Sequence, residues 1–383
     1  MLVREIAAHL KQSAKSILLL GPRQVGKSTL CRSLNPKRII NLADEASFLA
    51  YSKDPGRLRR ELITLQKPSL IFIDEVQRIP ALLNSVQALL DESSDLRFIL
   101  TGSSARKLKR GGANLLPGRI LLDYLDPLSL FELGPSFDLE LALRLGTLPG
   151  ICLDPKEGPD VLASYAAVYL REEIQAEALS RNLGAYARFL DAAAEASGQW
   201  VNYSKIASDA EIPKETVRRF YGILEETLIA VRIPPFKAKQ SKRRVSQRDR
   251  FIFFDVGVRN ALLGIHRQPL SPMEKGQLFE QWIILQCLYL MRSHRKDWKL
   301  SSYRTDAGAE VDLIIDQGSR LVAIECKYSR QAGEAQMSGL RSFKEIAHKP
   351  VQKYLVYRGD TRQKFSQGEL ALPYQEFFEE IFA

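Results

Sequence analysis

The stretch "SILLLGPRQVGKSTLCRSL", residues 16–34, constrains this chain more than any other. An apolar run, Ile17 to Leu20, feeds Gly21-Pro22-Arg23-Gln24-Val25-Gly26-Lys27-Ser28-Thr29, and an apolar-periodic segment follows. The pattern is GxxxxGK[ST] in the strand–loop–helix context that gives it meaning. Glycines let backbone N–H groups close around phosphate, and the N-terminus of the following helix adds partial positive charge. Lys27 is placed to reach β- and γ-phosphates and Ser28 to ligate Mg²⁺. Residues 21–29 are thus expected to bind a triphosphate such as ATP, with Mg²⁺.

A partner motif follows in "SLIFIDEVQRIP", an apolar strand ending in Asp74-Glu75. Asp74 is expected to hold the magnesium through its water shell, and Glu75 to act as the base that polarises the attacking water. "LRFILTGSSARKL" reads as another strand with hydroxyls at its end, Thr101, Ser103 and Ser104. A hydroxyl there either senses the γ-phosphate or caps the helix that starts near Ala105. "KRIINLAD" and "GRILLDYL" supply two more strands. Five strands alternating with helices predict an α/β, doubly wound parallel sheet with its ligand at the strands' carboxyl ends.

The motifs "GPRQVGKSTL", "FIDEVQRIP", "LTGSSA", "LPGRI" followed by "LDPLSLFEL", and the later "FFDVGVRNAL" resemble those of prokaryotic AAA+-type ATPases whose C-terminal domain has long been of unknown function. The resemblance implies a ring or helical homo-oligomer in which a neighbour's arginine completes the active site. Arg106 and Arg119 are the candidates, and either could equally be an ordinary surface arginine. Three domains are expected: an ATPase domain over 1–150, a helical linker with a winged helix over 151–265, and a third domain over 266–383.

From Pro149 the pattern turns helical, and "DVLASYAAVYLREEIQAEAL" has apolar residues at helical spacing. "VNYSKIASDAEIPKETVRRFYGILEETLIAVRIPPF" reads as a helix capped by Ser204, a turn through Glu211-Ile212-Pro213, a second helix from Lys214 to about Thr227, and a wing strand. Lys214, Thr216, Arg218 and Arg219 on the second helix could face nucleic acid, or the helices could form a bundle for protein contacts. In "FKAKQSKRRVSQRDRFIFFD", Lys237, Lys239, Lys242, Arg243, Arg244, Arg248 and Arg250 accompany a single acid before the strand, Asp249. β-prone runs on both sides make this a long hairpin with a basic tip, suited to phosphate backbones if it is more than a solvated loop.

The last third poses a different problem. "VAIECKYS" puts Glu325 and Lys327 on one face of an otherwise apolar strand. Glu280 lies in an apolar helix, and "GAEVDLIID" offers Asp312 on a strand joined to the first by a short turn. The set Glu280, Asp312, Glu325 and Lys327 resembles the PD-(D/E)xK nuclease site, although Val311 stands where that family has proline. The resemblance implies Mg²⁺ on Asp312 and Glu325, supported by Glu280, with Lys327 orienting water. An inert Glu325–Lys327 pair, or a nuclease-like fold retained for binding or assembly, are the competing readings.

A net charge of +10 suggests a polyanionic partner such as nucleic acid or an anionic membrane, the alternative being a merely basic soluble protein. Four dispersed cysteines exclude a disulfide framework and a CxxC zinc site and fit a reducing cytoplasm. The longest apolar stretch, "WIILQCLYLM", is half the length of a membrane span. Three functions follow. The first is a DNA-binding ATPase that remodels, translocates on or recognises DNA, branched forms included. The others are an ATP-gated nuclease of defence or repair, and a nucleotide-controlled switch without motor action.

Overall fold

The computed structural model describes residues 2–54, 56–65, 68–92, 95–103, 118–169, 183–237 and 245–382. Arg106, Lys239, Lys242, Arg243 and Arg244 lie outside these residues.

Strands β1 (Ser16–Leu20), β2 (Arg38–Asn41), β3 (Ser69–Asp74), β4 (Leu96–Gly102) and β5 (Ile120–Tyr124) form one parallel sheet in the order β2-β3-β4-β1-β5. The central strands β1, β3 and β4 are nearly continuous apolar runs because both faces of the sheet are covered there, while the edge strands β2 and β5 keep exposed residues. Leu18 and Leu20 pack with Ile71, Ile73, Phe98 and Leu100 on one face. Ile17 and Leu19 pack with Phe72, Ile99 and the phosphate-loop helix residues Leu30 and Cys31 on the other. That second core runs on without a break into Leu145, Leu148, Ile151, Tyr186, Phe220 and Phe254, so the helical middle of the chain shares its apolar interior with the nucleotide sheet. The five strands are those expected from the sequence.

In the middle region the helices Tyr203–Asp209 and Lys214–Glu226 are followed by β6 (Ala230–Ile233) and β7 (Arg250–Phe253), which pair antiparallel. Asn202, not Ser204, caps the first helix: its side chain accepts the Lys205 N–H at 3.2 Å. Ser204 already lies inside the first turn. Beyond the paired strands, the arms of the hairpin continue along a neighbouring strand edge. Phe236 N donates to Ser302 O and Ser246 N to Arg304 O, both at 2.8 Å.

That edge belongs to a second sheet, with strands β8 (Lys299–Arg304), β9 (Glu310–Asp316), β10 (Leu321–Lys327), β11 (Val351–Tyr357), β12 (Gln363–Lys364) and β13 (Leu370–Pro373). Its order is β12-β13-β11-β10-β9-β8, antiparallel from β8 to β10 and parallel from β10 through β11 to β13. The helix Pro272–Ser293 buries Leu278, Phe279, Trp282, Ile283 and Cys287 against one face. Ser271 starts it with a reciprocal cap to Glu274. Its far end docks on the first sheet: Arg292 meets Asp126 at 2.6 Å, His294 meets Glu5 at 3.1 Å, and Gln286 accepts the Leu130 N–H at 2.8 Å. Among the described residues no helix is long and apolar enough to cross a membrane, and all four cysteines are free.

Candidate functional site

The loop after β1 is shaped by two glycines. Gly26 has φ +89°, open to glycine and costly for other residues. A Cβ on Gly21 would lie 2.2 Å from the Leu125 carbonyl oxygen, so only glycine lets the loop leave the sheet there. Lys27 opens the following helix, is buried, and donates to the carbonyls of Gly21 at 2.8 Å and Pro22 at 2.7 Å. Arg23, Gln24, Gly26, Lys27, Ser28 and Thr29 line a cleft of about 900 Å³. Gly21, Pro22 and Val25 form the loop behind it, with Val25 fully buried.

Asp74 and Glu75 enter the same cleft from the end of β3. Thr101 Oγ1 donates to Asp74 Oδ1 at 2.5 Å and accepts the Glu75 N–H at 3.2 Å. Its hydroxyl is therefore committed to fixing the acid pair. Glu75 has φ +57° and ψ +44°, a conformation that costs a non-glycine residue on the order of 1 kcal/mol and that clusters at working sites. The Gln77 amide bonds the Glu75 carboxylate and donates to Ser103 Oγ at 3.1 Å. Ser103 is thus one side chain removed from the cleft. Burial, reinforced by the Asp74 carboxylate, pushes the Cys31 thiol behind the loop up to about 12, which keeps it protonated and inert.

Two cleft residues escaped the sequence reading. Arg4 donates to Val25 O at 2.7 Å and Asp126 O at 2.6 Å and pairs with Glu132 at 2.9 Å, so it clamps the loop from the N-terminal segment. Nothing local in "MLVREI" signals this. Arg78 donates to Leu42 O at 2.7 Å and lies over the Phe48 ring at 4.4 Å. Its place three residues after Glu75 was the available clue. Leu128, Pro149, Gly150, Leu153 and Val161 complete the lining of the cleft, with Pro149 beside Gly26. Arg119 precedes β5 at the end of the sheet away from the loop, and its Nε donates to Asp91 at 2.6 Å. It does not reach its own chain's cleft.

In the C-terminal sheet, Asp312 and Glu325 lie on adjoining strands, both buried. Asp312 Oδ2 accepts the Cys326 N–H at 2.8 Å. Lys327 Nζ bonds Glu325 Oε1 at 2.7 Å, the same-face pair anticipated from the sequence. Burial first, then Glu280 and Glu325, raises the Asp312 pKa well above the carboxylate range. Burial opposes the Lys327 charge, but Glu325 and Asp312 outweigh it and hold the lysine above its ordinary value. Glu280 is engaged by Arg250, whose guanidinium also donates to the Asp312 backbone carbonyl at 2.8 Å. Among the described residues no three His, Cys, Asp or Glu side chains converge to hold a metal ion. The expected magnesium ligands are neighbours here, but with Arg250 between Glu280 and the Asp312 strand they do not fit a metal.

Of the nucleic-acid candidates, Lys214, Arg218, Lys237 and Arg248 are described and exposed. Arg218 lies over the Tyr203 ring at 4.7 Å.

A parallel five-stranded sheet, a glycine-shaped loop after β1 and an acid pair at the end of β3, one strand removed from β1, are the features of a P-loop-like domain. The family described as AAA domain matches residues 13–134, so the N-terminal region is AAA-type and ATPase-like. Two domains of unknown function match the remainder, DUF8612 over residues 136–269 and DUF4143 over residues 275–377. Uncharacterized proteins of Mycobacterium bovis and Mycobacterium tuberculosis are each 28% identical over 379 residues, covering 97% of this chain and 83% of theirs. The crystal structure of protein VC1899 from Vibrio cholerae overlaps 91% of this chain and 90% of its own at 11% identity, with a TM-score of 0.21 that carries no argument.

Proposed function

We propose that the protein is an ATP-hydrolysing, DNA-binding AAA+-type machine. It acts as a ring or helical homo-oligomer that remodels, translocates on or recognises DNA, branched forms included. One observation carries the reading. The cleft is lined both by Lys27, Ser28, Asp74 and Glu75 and by Pro149, Gly150, Leu153 and Val161 from the helical segment that follows the first sheet. A nucleotide filling that cleft touches both parts, so its hydrolysis changes how they are held together.

The steps follow from the side chains. Lys27 exchanges the Gly21 and Pro22 carbonyls for phosphate oxygens, a stronger charge-assisted bond. Glu75, oriented by Gln77, takes the proton of the attacking water. Ser28 and Asp74 face the same cleft and would hold Mg²⁺, which neutralises phosphate charge. Arg119 serves a neighbouring subunit, since it lies away from its own cleft. The exposed Lys214, Arg218, Lys237 and Arg248, with the rest of the basic arm, grip the phosphate backbone. The two helices followed by a two-stranded wing support a winged-helix reading. A helix, three antiparallel strands, a helix and a parallel strand support a nuclease-like scaffold for the last third. Cleavage is left out of the reading because Arg250 stands among its carboxylates.

ATP turnover measured against single-stranded, duplex and junction DNA, with strand scission read on the same samples, tests the proposal. DNA should stimulate turnover without being cut. Lys27→Ala should abolish nucleotide binding. Glu75→Gln should retain it while turnover falls by about 10²- to 10⁴-fold. Absence of DNA binding and stimulation across the panel removes the DNA half of the reading, and an unaffected Lys27→Ala removes the ATPase half.

A further inference from the structure

The peptide between Val25 and Gly26 lies where the loop meets the cleft, and its own residues do not fix which way it faces. Turning it over changes ψ of Val25 and φ of Gly26, and glycine accepts either sign of φ. Here φ of Gly26 is +89°. A partner outside the loop selects this orientation. Arg4 Nη1 donates to the Val25 carbonyl oxygen at 2.7 Å. It also lies 3.9 Å from where a Cβ on Gly26 would stand. In a trans peptide the C=O and the N–H point in opposite directions. Drawing the carbonyl towards Arg4 therefore turns the Gly26 N–H away from the N-terminal segment.

Arg4 is held firmly enough to do this. Its Nε donates to Glu132 Oε1 at 2.9 Å and its Nη2 to the Asp126 carbonyl at 2.6 Å. Glu132 is fixed in turn by its reciprocal cap with Ser129 and by the Glu5 N–H at 2.9 Å. Arg4 is buried, and the Glu132 carboxylate balances its charge. The guanidinium thus acts through the direction of its N–H bonds, not as a free cation offered to phosphate. A lysine at this place would keep the pair with Glu132 but would lack the planar fork that spans the two carbonyls.

We infer that Arg4 is a positioning residue for phosphate binding. It holds the Val25–Gly26 peptide with its N–H towards the inner phosphates, which a diphosphate and a triphosphate share, and does not touch the nucleotide itself. The inference rests on the proposed triphosphate site and adds the residue that sets its loop.

Equilibrium binding of ADP and of ATP, each with Mg²⁺, to full-length wild type, Arg4→Lys and Arg4→Ala tests it, together with the melting temperature of each protein without nucleotide. Both variants should lose affinity for ADP and for ATP by the same factor, about ten- to a hundredfold. Arg4→Lys, with its charge still beside Glu132, should melt closer to wild type than Arg4→Ala does and yet bind no better. If affinity instead follows melting temperature, with the lysine variant in between, Arg4 is only a structural residue and the inference falls. A larger loss for ATP than for ADP also overturns it, because the guanidinium then meets the γ-phosphate directly. Unchanged affinity in both variants, or failure of both to fold, removes Arg4 from the site. If Arg4→Ala alone fails to fold, equal losses of ADP and ATP in a stably folded Arg4→Lys uphold the inference. Wild type that binds neither nucleotide removes the triphosphate site and this inference with it, whereas wild type that binds both while Arg4→Lys binds them equally well removes the inference alone.

Discussion

Asp255 illustrates what one buried carboxylate does in this fold. It caps the helix Val256–Leu262 by accepting the Val258 N–H at 3.0 Å, and its other oxygen accepts the Thr147 N–H at 2.8 Å. Thr147 lies two residues before Pro149, on the cleft wall, so the carboxylate joins that wall to the hairpin region. A Cβ on Gly146 would fall 2.0 Å from Asp255 Oδ1, which keeps that contact closed to larger residues. Burial raises the Asp255 pKa from 3.8 to about 6, against the opposing pull of its backbone donors. A raised folded-state pKa means that the native state holds the proton more tightly than the unfolded chain does. Its contribution to stability is therefore fully present below about pH 4 and is lost as pH rises through about 6. The swing is roughly 3 kcal/mol. Asp255→Asn cannot titrate and can accept only with its single amide oxygen. Urea denaturation at intervals from pH 4 to 7 should show wild type losing stability relative to Asp255→Asn as pH rises. Parallel curves for the two proteins would mean that Asp255 carries no such linkage.

Among the elements, the basic hairpin is the one whose proposed contact with DNA would depend least on packing and most on charge. Its arms are pinned by main-chain bonds to β8, so the residues leading to the tip start from a fixed root. Lys237 and Arg248 flank that tip and are exposed. If each contacts one phosphate, Lys237→Ala or Arg248→Ala should weaken DNA binding about equally for all sequences. Each change should lower the slope of log affinity against log salt by about one unit. Fluorescence anisotropy from 50 to 300 mM salt measures both quantities, and an unchanged slope would exclude phosphate contact at that position. The paired arms of the hairpin were legible because β-prone runs stand on both sides of the cations. The phosphate loop and Asp74-Glu75 were legible because their chemistry fixes residue type at fixed spacing. Arg250 was read as one more cation of the arm, and Arg4 was not read at all. Both arginines are buried by partners distant in the chain: Arg250 by Gly198, Glu280 and Asp312, Arg4 by Val25, Asp126 and Glu132. Local pattern carries no record of such pairings. The hydroxyl at Thr101 was ambiguous for the same reason, since its partner Asp74 lies 27 residues away.

At the scale of the whole molecule, the helix Pro272–Ser293 runs from the C-terminal sheet to the nucleotide sheet. In its first half Glu280 meets Arg250, and near its end Arg292 meets Asp126, whose backbone carbonyl accepts from Arg4, the residue that clamps the phosphate loop. Twelve residues of helix separate Glu280 from Arg292, about 18 Å at 1.5 Å per residue. The Arg292–Asp126 pair is the most buried of the ionic contacts at this helix end, beside His294–Glu5, and helps fasten the C-terminal sheet to the nucleotide sheet. Asp126 is fully buried, and desolvation raises its pKa despite Arg292. Arg292→Ala would leave that carboxylate without its ion-pair partner, at a cost of about 3 kcal/mol. This is the low end for breaking a buried pair, because Arg292 itself is 25% exposed. Removing both partners, as Arg292→Ala with Asp126→Asn, should recover most of the loss, since the penalty lies in the stranded charge and not in the absent attraction. The loss should also shrink towards acid pH, where Asp126 takes up a proton. Calorimetry distinguishes this joint from an ordinary surface pair. The single variant should separate a cooperative melt into two transitions as the C-terminal sheet loosens first, and the double variant should merge them again. A single transition with an unchanged midpoint in Arg292→Ala would show that the apolar contacts of the helix suffice, and that Arg292 is not where the two halves are tied.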